Sequence, residues 1–193
     1  MTDMIRVSTV LKCLYPYSLD FIQQEDLDRG SRLHAEMEIW ANNRIHGFPE
    51  AMVSEGVRPM VDWLKAEGIE IDSAEESISH KWGYCGRPDC LAVWRGKDVW
   101  IDFKFSQSIS EQNQIQGVAY TKLTGRPGLF LQCPKDGKVK ATRCKPDPTL
   151  WAVFLSGLQV LHFQQARRPQ QFTPEQIEQL TNQFKEIFTC QTN

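Results

Sequence analysis

Apolar and polar positions alternate from Val99 to Phe105, which predicts a strand with Asp102 and Lys104 on one face and Ile101, Phe103 and Phe105 on the other. A second apolar run, Cys90 to Trp94, precedes it, and Arg95-Gly96-Lys97-Asp98 between them has hairpin chemistry. In a hairpin closed there, Asp89 and Asp102 lie far from the turn on neighbouring strands and can meet. Apolar Gly128 to Cys133, the Asp136-Gly137 turn and Lys138 to Cys144 predict two further strands.

Other stretches follow the helical period. Ser8 is a candidate N-cap for a short helix bearing Val10, Leu11 and Leu14, broken by Tyr15-Pro16-Tyr17. Arg29 to Arg44 predicts a helix whose buried face is Leu33, Met37, Trp40 and Ala41, with His34 on its shoulder. Phe48 to Glu67 predicts another, with Met52, Val53, Val57, Met60, Val61 and Leu64 as its apolar face, kinked or divided at Pro59 and closed by Gly68. Ser110 to Leu123 predicts a helix with Ser110 as N-cap, Ile115, Val118, Ala119 and Leu123 inward, and Gln112, Gln116 and Tyr120 along one edge. Asp147 to Ala166 is apolar around most of its circumference, which places it at the centre of the fold or at a subunit interface. Thr173-Pro174-Glu175-Gln176 opens a last helix, with Arg167-Arg168-Pro169 joining the two. The expected fold class is α/β: a mixed central sheet from residues 69 to 144, flanked by helices and extended by helices at both ends.

A chain of 193 residues suits one well-buried domain, so residues 1–193 are expected to form a single unit. Hydrophobic residues at 41% and charged residues at 24% describe an ordinary soluble globule. The start lacks a signal-peptide pattern and no run approaches the ~20 apolar residues of a membrane span, so a cytoplasmic location without membrane contact is expected. Six cysteines (Cys13, Cys85, Cys90, Cys133, Cys144, Cys190) are scattered without CxxC spacing and are expected to be free thiols.

The net charge of −2 hides a polarity: Lys and Arg number 12 against 19 acids over residues 1–119, but nine against two over residues 120–170. Such a basic segment following an acidic one suits a DNA track beside a cation site, with Lys122, Arg126, Lys138 and Lys140 as candidate phosphate contacts. The same lysines would also serve simply to solvate a surface hairpin.

Asp-x-Lys on a strand is common and is usually a solvated sheet face. Its company changes the reading, because Glu76, Gly86-Arg87-Pro88-Asp89, Asp102-Phe103-Lys104 and Gln116-x-x-x-Tyr120 follow in one order within a short stretch. Clustered carboxylates suit Mg²⁺ or Mn²⁺, which prefer oxygen ligands, and a lysine beside them can orient water or offset negative charge in phosphodiester hydrolysis. The order resembles the PD-(D/E)xK nuclease superfamily, in particular the branch with RecB nuclease domains, Cas4 proteins and lambda-type exonucleases. The resemblance covers residues 5 to 125 and extends to His34 within RGSRLHAEMEIW.

The resemblance implies a restriction-endonuclease-like core with metal held by His34, Glu76, Asp89, Asp102 and the Phe103 carbonyl. It implies Lys104 as the catalytic lysine, with Glu76, Asp89 and Asp102 as catalytic carboxylates, and Gln116 and Tyr120 as substrate or positioning groups. Glu75 is the alternative to Glu76, which is preferred because its distance from Gly86 and Asp89 better resembles the family. Some members of that branch hold an iron–sulfur cluster with an early cysteine and a tight later group. The later group is lacking here, so no cluster is expected. The expected activity is a Mg²⁺- or Mn²⁺-dependent DNA nuclease, an exonuclease rather than an endonuclease, in phage or mobile-element recombination or end processing. DNA, double- or single-stranded, is the expected partner; a homo-oligomer and a recombination partner protein are compatible with the same resemblance. The alternative is a catalytically silent nucleic-acid- or protein-binding module that keeps the fold.

Overall fold

The computed structural model describes residues 4–16, 23–48 and 52–167. The elements run β1 (Ile5–Arg6), α1 (Val7–Leu14), α2 (Gln24–Ile45), α3 (Arg58–Ala66), β2 (Glu70–Ala74), β3 (Ile78–His80), β4 (Tyr84–Gly86), β5 (Cys90–Trp94), β6 (Lys97–Lys104), α4 (Glu111–Thr124), β7 (Gly128–Gln132), β8 (Lys140–Arg143) and α5 (Pro148–Ala166). The main sheet has the order β2-β5-β6-β7-β8, and a smaller one has the order β1-β4-β3. Only β6 and β7 pair in parallel within the main sheet, with α4 as the crossover between them. The expected mixed α/β architecture is therefore present.

The β5–β6 hairpin is tighter than its four-residue polar stretch implies. Trp94 pairs with Lys97, leaving Arg95 and Gly96 as a two-residue turn, both at positive φ (52° and 71°). That geometry matches a type I′ hairpin, whose twist suits the flanking strands. It draws Lys97 and Asp98 into β6 and fixes the register in which Cys90 faces Ile101. Asp89 and Asp102 consequently come next to each other at the far end of the hairpin.

Alternation along β6 divides the core in two. Val99, Ile101 and Phe103 join Leu129 and Leu131 of β7 against Leu33, Met37 and Trp40 of α2 and Met60, Val61 and Leu64 of α3. Trp100 on the opposite face joins Phe130, Ile115 and Ala119 of α4, Val10 and Leu11 of α1, and Phe154 of α5. Trp100 also dictates Gly128, where an added Cβ would lie 1.8 Å from its ring.

Several local expectations need correction. The helix expected over Phe48–Glu67 is present only as α3, because Pro59 sits in its first turn, where a missing N–H costs nothing. Met52, expected on its buried face, is 98% exposed. Gly68 does close α3, at φ +63°. Ser8 is not a cap: α1 begins at Val7 with Arg6 at the N-cap position, so Ser8 lies inside the first turn. On α5, Phe154, Gly157 and Leu158 are buried, whereas Val160 is 46% exposed, so the described part of this helix is covered on one side.

The chain divides into two compact units, Met1–Leu161 and His162–Asn193. The candidate site lies within the first. Of the second, only the last turn of α5 and Arg167 are described. The helix expected from Thr173, the join through Arg168-Pro169 and the sixth cysteine, Cys190, fall outside the described residues. The described cysteines are all free, and no described helix is long and apolar enough to cross a membrane.

Candidate active site

The C-terminal end of β6 brings Asp102 and Lys104 to the α4 side of the sheet. Asp102 is only 3% exposed and its Oδ2, against which the Lys104 ammonium lies, has no well-directed hydrogen bond among the described residues. The ammonium offsets the charge of this buried carboxylate, and a divalent cation placed there would share or take over that task. Asp89 enters from the neighbouring strand end, where its Oδ2 accepts the Phe103 N–H at 2.6 Å and lies 3.5 Å from His34 Nδ1.

The third carboxylate belongs to Glu75. It follows β2 at φ +54°, and its N–H donates to the Asp89 carbonyl at 3.0 Å. Its side chain is ion-paired with Arg87 and lines a polar cavity of about 410 Å³ with Asp89, Tyr120, Arg87, Arg6 and Ser8. Glu76, the residue expected from the sequence, points elsewhere: it is exposed, and its Oε2 accepts the Ser73 hydroxyl at 2.8 Å. The physical reason is a register irregularity between Ile71 and Ser73 followed by the left-handed turn at Glu75, which together shift the inward phase.

α4 supplies a relay behind Lys104. Ser110 caps the helix in a reciprocal capping box with Asn113, which starts α4 so that Gln116 and Tyr120 face the site. Lys104 Nζ donates to Gln116 Oε1 at 3.1 Å, Gln116 Nε2 donates to the Tyr120 oxygen at 3.1 Å, and the Tyr120 hydroxyl donates to the Arg87 carbonyl at 3.1 Å. The Tyr120 ring packs on Gly86, where an added Cβ would lie 2.9 Å from Tyr120 Cε1. The Gly-x-x-Asp and Gln-x-x-x-Tyr signatures thus meet in one contact.

Electrostatics follow from this crowding. Burial, then the Asp102 charge, pushes the Asp89 carboxyl well above its ordinary range, against the opposing pull of Lys104 and the Phe103 N–H. Glu75 is raised by burial, with Glu38 and Asp102 adding to the shift and Arg87 opposing it. Burial lowers the His34 imidazole below its ordinary value, so it is neutral at neutral pH. Tyr120 is raised by burial and then by Asp102 and Asp89, and stays a protonated donor.

Asp89, Asp102 and Glu75, neighbouring carboxylates at partly or fully buried positions, are by donor chemistry the oxygen ligands a hard divalent cation such as Mg²⁺ or Mn²⁺ takes. In their present rotamers, no three of the described His, Cys, Asp and Glu side chains converge on one point. Each carboxylate instead faces another positive group or donor: Lys104 on Asp102, Arg87 on Glu75, and the Phe103 N–H on Asp89.

The basic residues expected to contact DNA do not form one patch. Lys140 faces Gln132 across β8 and β7, and Gln132 faces Lys104 across β7 and β6, so Lys140 lies two strands from the site lysine. Lys138 is exposed in the connection before β8. Lys122 lies over the Trp151 ring, 5.8 Å from its centroid, and Arg126 is ion-paired with Asp72 at 3.0 Å.

No family model and no curated protein matches the chain. Among solved structures, the alkaline exonuclease LHK-Exo from Laribacter hongkongensis is similar over 96% of this chain and 95% of that one, at 14% identity and a TM-score of 0.50. SSO0001 matches 84% of this chain and 77% of its own at 16% identity, TM-score 0.44. A phage-related exonuclease from Haemophilus somnus 129PT matches 82% and 92% at 11% identity, TM-score 0.40. At such identity the likeness to LHK-Exo speaks for the fold alone: the mixed α/β architecture of this chain is similar to that of the alkaline exonuclease.

Proposed function

We propose that this chain is a Mg²⁺- or Mn²⁺-dependent deoxyribonuclease, an exonuclease acting in DNA recombination or end processing of a phage or mobile element. The observation that carries the reading is the meeting of Asp89, Asp102, Glu75 and Lys104 at the ends of β5 and β6, beside an open polar cavity. The fold shared with LHK-Exo supports it.

Asp89, Asp102 and Glu75 would hold the cation, with the Phe103 carbonyl and neutral His34 as further donors; Glu75 takes the part expected of Glu76. Such a cation, when bound, activates water and neutralises charge on the phosphate. Lys104, held by Gln116 and Asp102, presents an ammonium to the same space and stabilises charge developing on the phosphate oxygens. Gln116 and Tyr120 position Lys104 and the Arg87 backbone, and Asp89 held against Phe103 fixes the hairpin end. Lys138 and Lys140, on the strand side of the site, would contact the DNA backbone.

The test is cleavage of end-labelled linear and closed circular DNA, single- and double-stranded, in Mg²⁺, Mn²⁺ or EDTA, for wild type beside Asp102→Ala. Expected is cation-dependent loss of linear DNA with circles spared, absent in the variant. Cleavage of circles would make it an endonuclease. DNA binding without cleavage in any cation would favour the silent binding module.

A further inference from the structure

Arg87 sits in the Gly86-Arg87-Pro88-Asp89 turn, and the reading above gives it no task beyond its backbone carbonyl. Its side chain is 61% exposed, yet its guanidinium is in contact with the Glu75 carboxylate, which is 18% exposed. The backbone beneath is fixed by the Tyr120 hydroxyl on its carbonyl and by the proline that follows. The side chain above reaches Glu75 from this fixed base through mostly exposed space.

The same carboxylate is one that the proposed cation requires. A guanidinium and a divalent cation compete for it, because each neutralises the same charge. Arg87 lines the polar cavity together with Arg6 and Ser8, and among the described residues Glu75 is the carboxylate with which it forms an ion pair. Its planar fork suits the paired oxygens of a phosphate.

We propose that Arg87 is an exchangeable counter-ion: it neutralises Glu75 in the cation-free protein and turns to a substrate phosphate when a divalent cation takes that carboxylate. This rests on the nuclease reading of the site. Cation binding and DNA binding then reinforce each other through one side chain, and by linkage the reinforcement is equal in both directions.

The sign of the effect on cation binding distinguishes this role from a structural one. Mn²⁺ affinity is measured by calorimetry without DNA for wild type, Arg87→Ala and Arg87→Gln, with circular dichroism to check the fold. Removing a competitor is expected to tighten Mn²⁺ binding by about two- to fivefold, the range of an ion pair of this exposure. A brace for the loop predicts weaker binding instead.

DNA affinity is then measured on a duplex with phosphorothioate ends over a series of salt concentrations. With Mn²⁺ both variants should lose about one unit from the slope of log affinity against log salt; without Mn²⁺ the slope should match wild type. Unchanged or weaker Mn²⁺ binding in both variants, or a slope change independent of Mn²⁺, overturns the exchange while leaving the nuclease reading intact. Failure of wild type to bind Mn²⁺ overturns both.

Discussion

At Asp89 burial combines with repulsion from Asp102, and this couples folding to pH. Its carboxyl is raised above the ordinary range by burial and the neighbouring Asp102, so the folded chain binds its proton more tightly than the unfolded chain does. The stability this contributes is fully present below the ordinary carboxylate range and is lost as pH rises through the raised value. Asp89→Asn keeps an acceptor for the Phe103 N–H while removing the charge. It should therefore melt at a higher temperature than wild type at pH 8, with the difference closing at pH 4, and should lose cleavage. Equal melting curves at pH 8 would show that the carboxylate is not under strain. Asp89, Asp102 and Lys104 could be read from strand alternation and hairpin arithmetic, because both depend only on a period of two. The third carboxylate could not, because the irregularity at Ile71/Ser73 and the positive φ of Glu75 break that period by one. Arg87 carried no signal beyond its place in the turn, since an ion pair formed across a loop has no spacing to count.

Among the elements, α4 connects the two kinds of signature. Its N-terminal box, Ser110 with Asn113, lies six residues before Gln116, and the left-handed Gly125 ends it. Ser110→Ala removes one half of the box and should cost about 1 kcal/mol of stability, read from denaturant unfolding. Because the Lys104–Gln116–Tyr120 chain hangs on the same helix, turnover is expected to fall about two- to fivefold with substrate affinity nearly unchanged. A variant of wild-type stability and rate would remove the cap from the account. α2 follows from its stripe of Leu33, Met37, Trp40 and Ala41, although it starts at Gln24 rather than Arg29 and lacks a side-chain cap, and α4 follows from its cap and inward residues. α3 was overextended because Val53 and Val57 are buried whether or not their backbone is helical, and burial is all that an apolar pattern reports. Pro59 was the better guide, as a first-turn residue rather than a kink.

For the molecule as a whole, charge segregates along the chain more clearly than in space. Among the described members of the basic stretch over residues 120–170, Lys122 lies over Trp151 and Arg126 pairs with Asp72 at the end of α4, Lys135 pairs with Asp26, Arg143 lies over Trp94, and Lys138 and Lys140 stand exposed before and on β8. Of these, Lys140 lies on β8, two strands across the sheet from Lys104. Lys138→Gln and Lys140→Gln together should lower the salt slope of DNA binding by about 2, whereas Lys122→Gln and Arg126→Gln together should change it by less than about 1. Equal effects from the two pairs would mean that the whole basic segment contacts DNA. The two cores on either face of the main sheet explain why the architecture is foreseeable at all: β7 is buried along its whole length and β6 adds Trp100 opposite Val99, Ile101 and Phe103, so both faces need helices.

The parallel pairing of β6 with β7 bears on how the chain reaches this state. An antiparallel hairpin such as β5–β6 can close through its own turn, but β7 cannot dock on β6 until the crossover through α4 has formed. Loop closure over that distance is paid before its contacts exist, so this step is slow relative to local hairpins and helices. The β5–β6 turn alone sets Asp89 beside Asp102, whereas Lys104 meets Gln116 only where α4 packs on β6, so folding is expected to bring these two carboxylates together before the lysine is held.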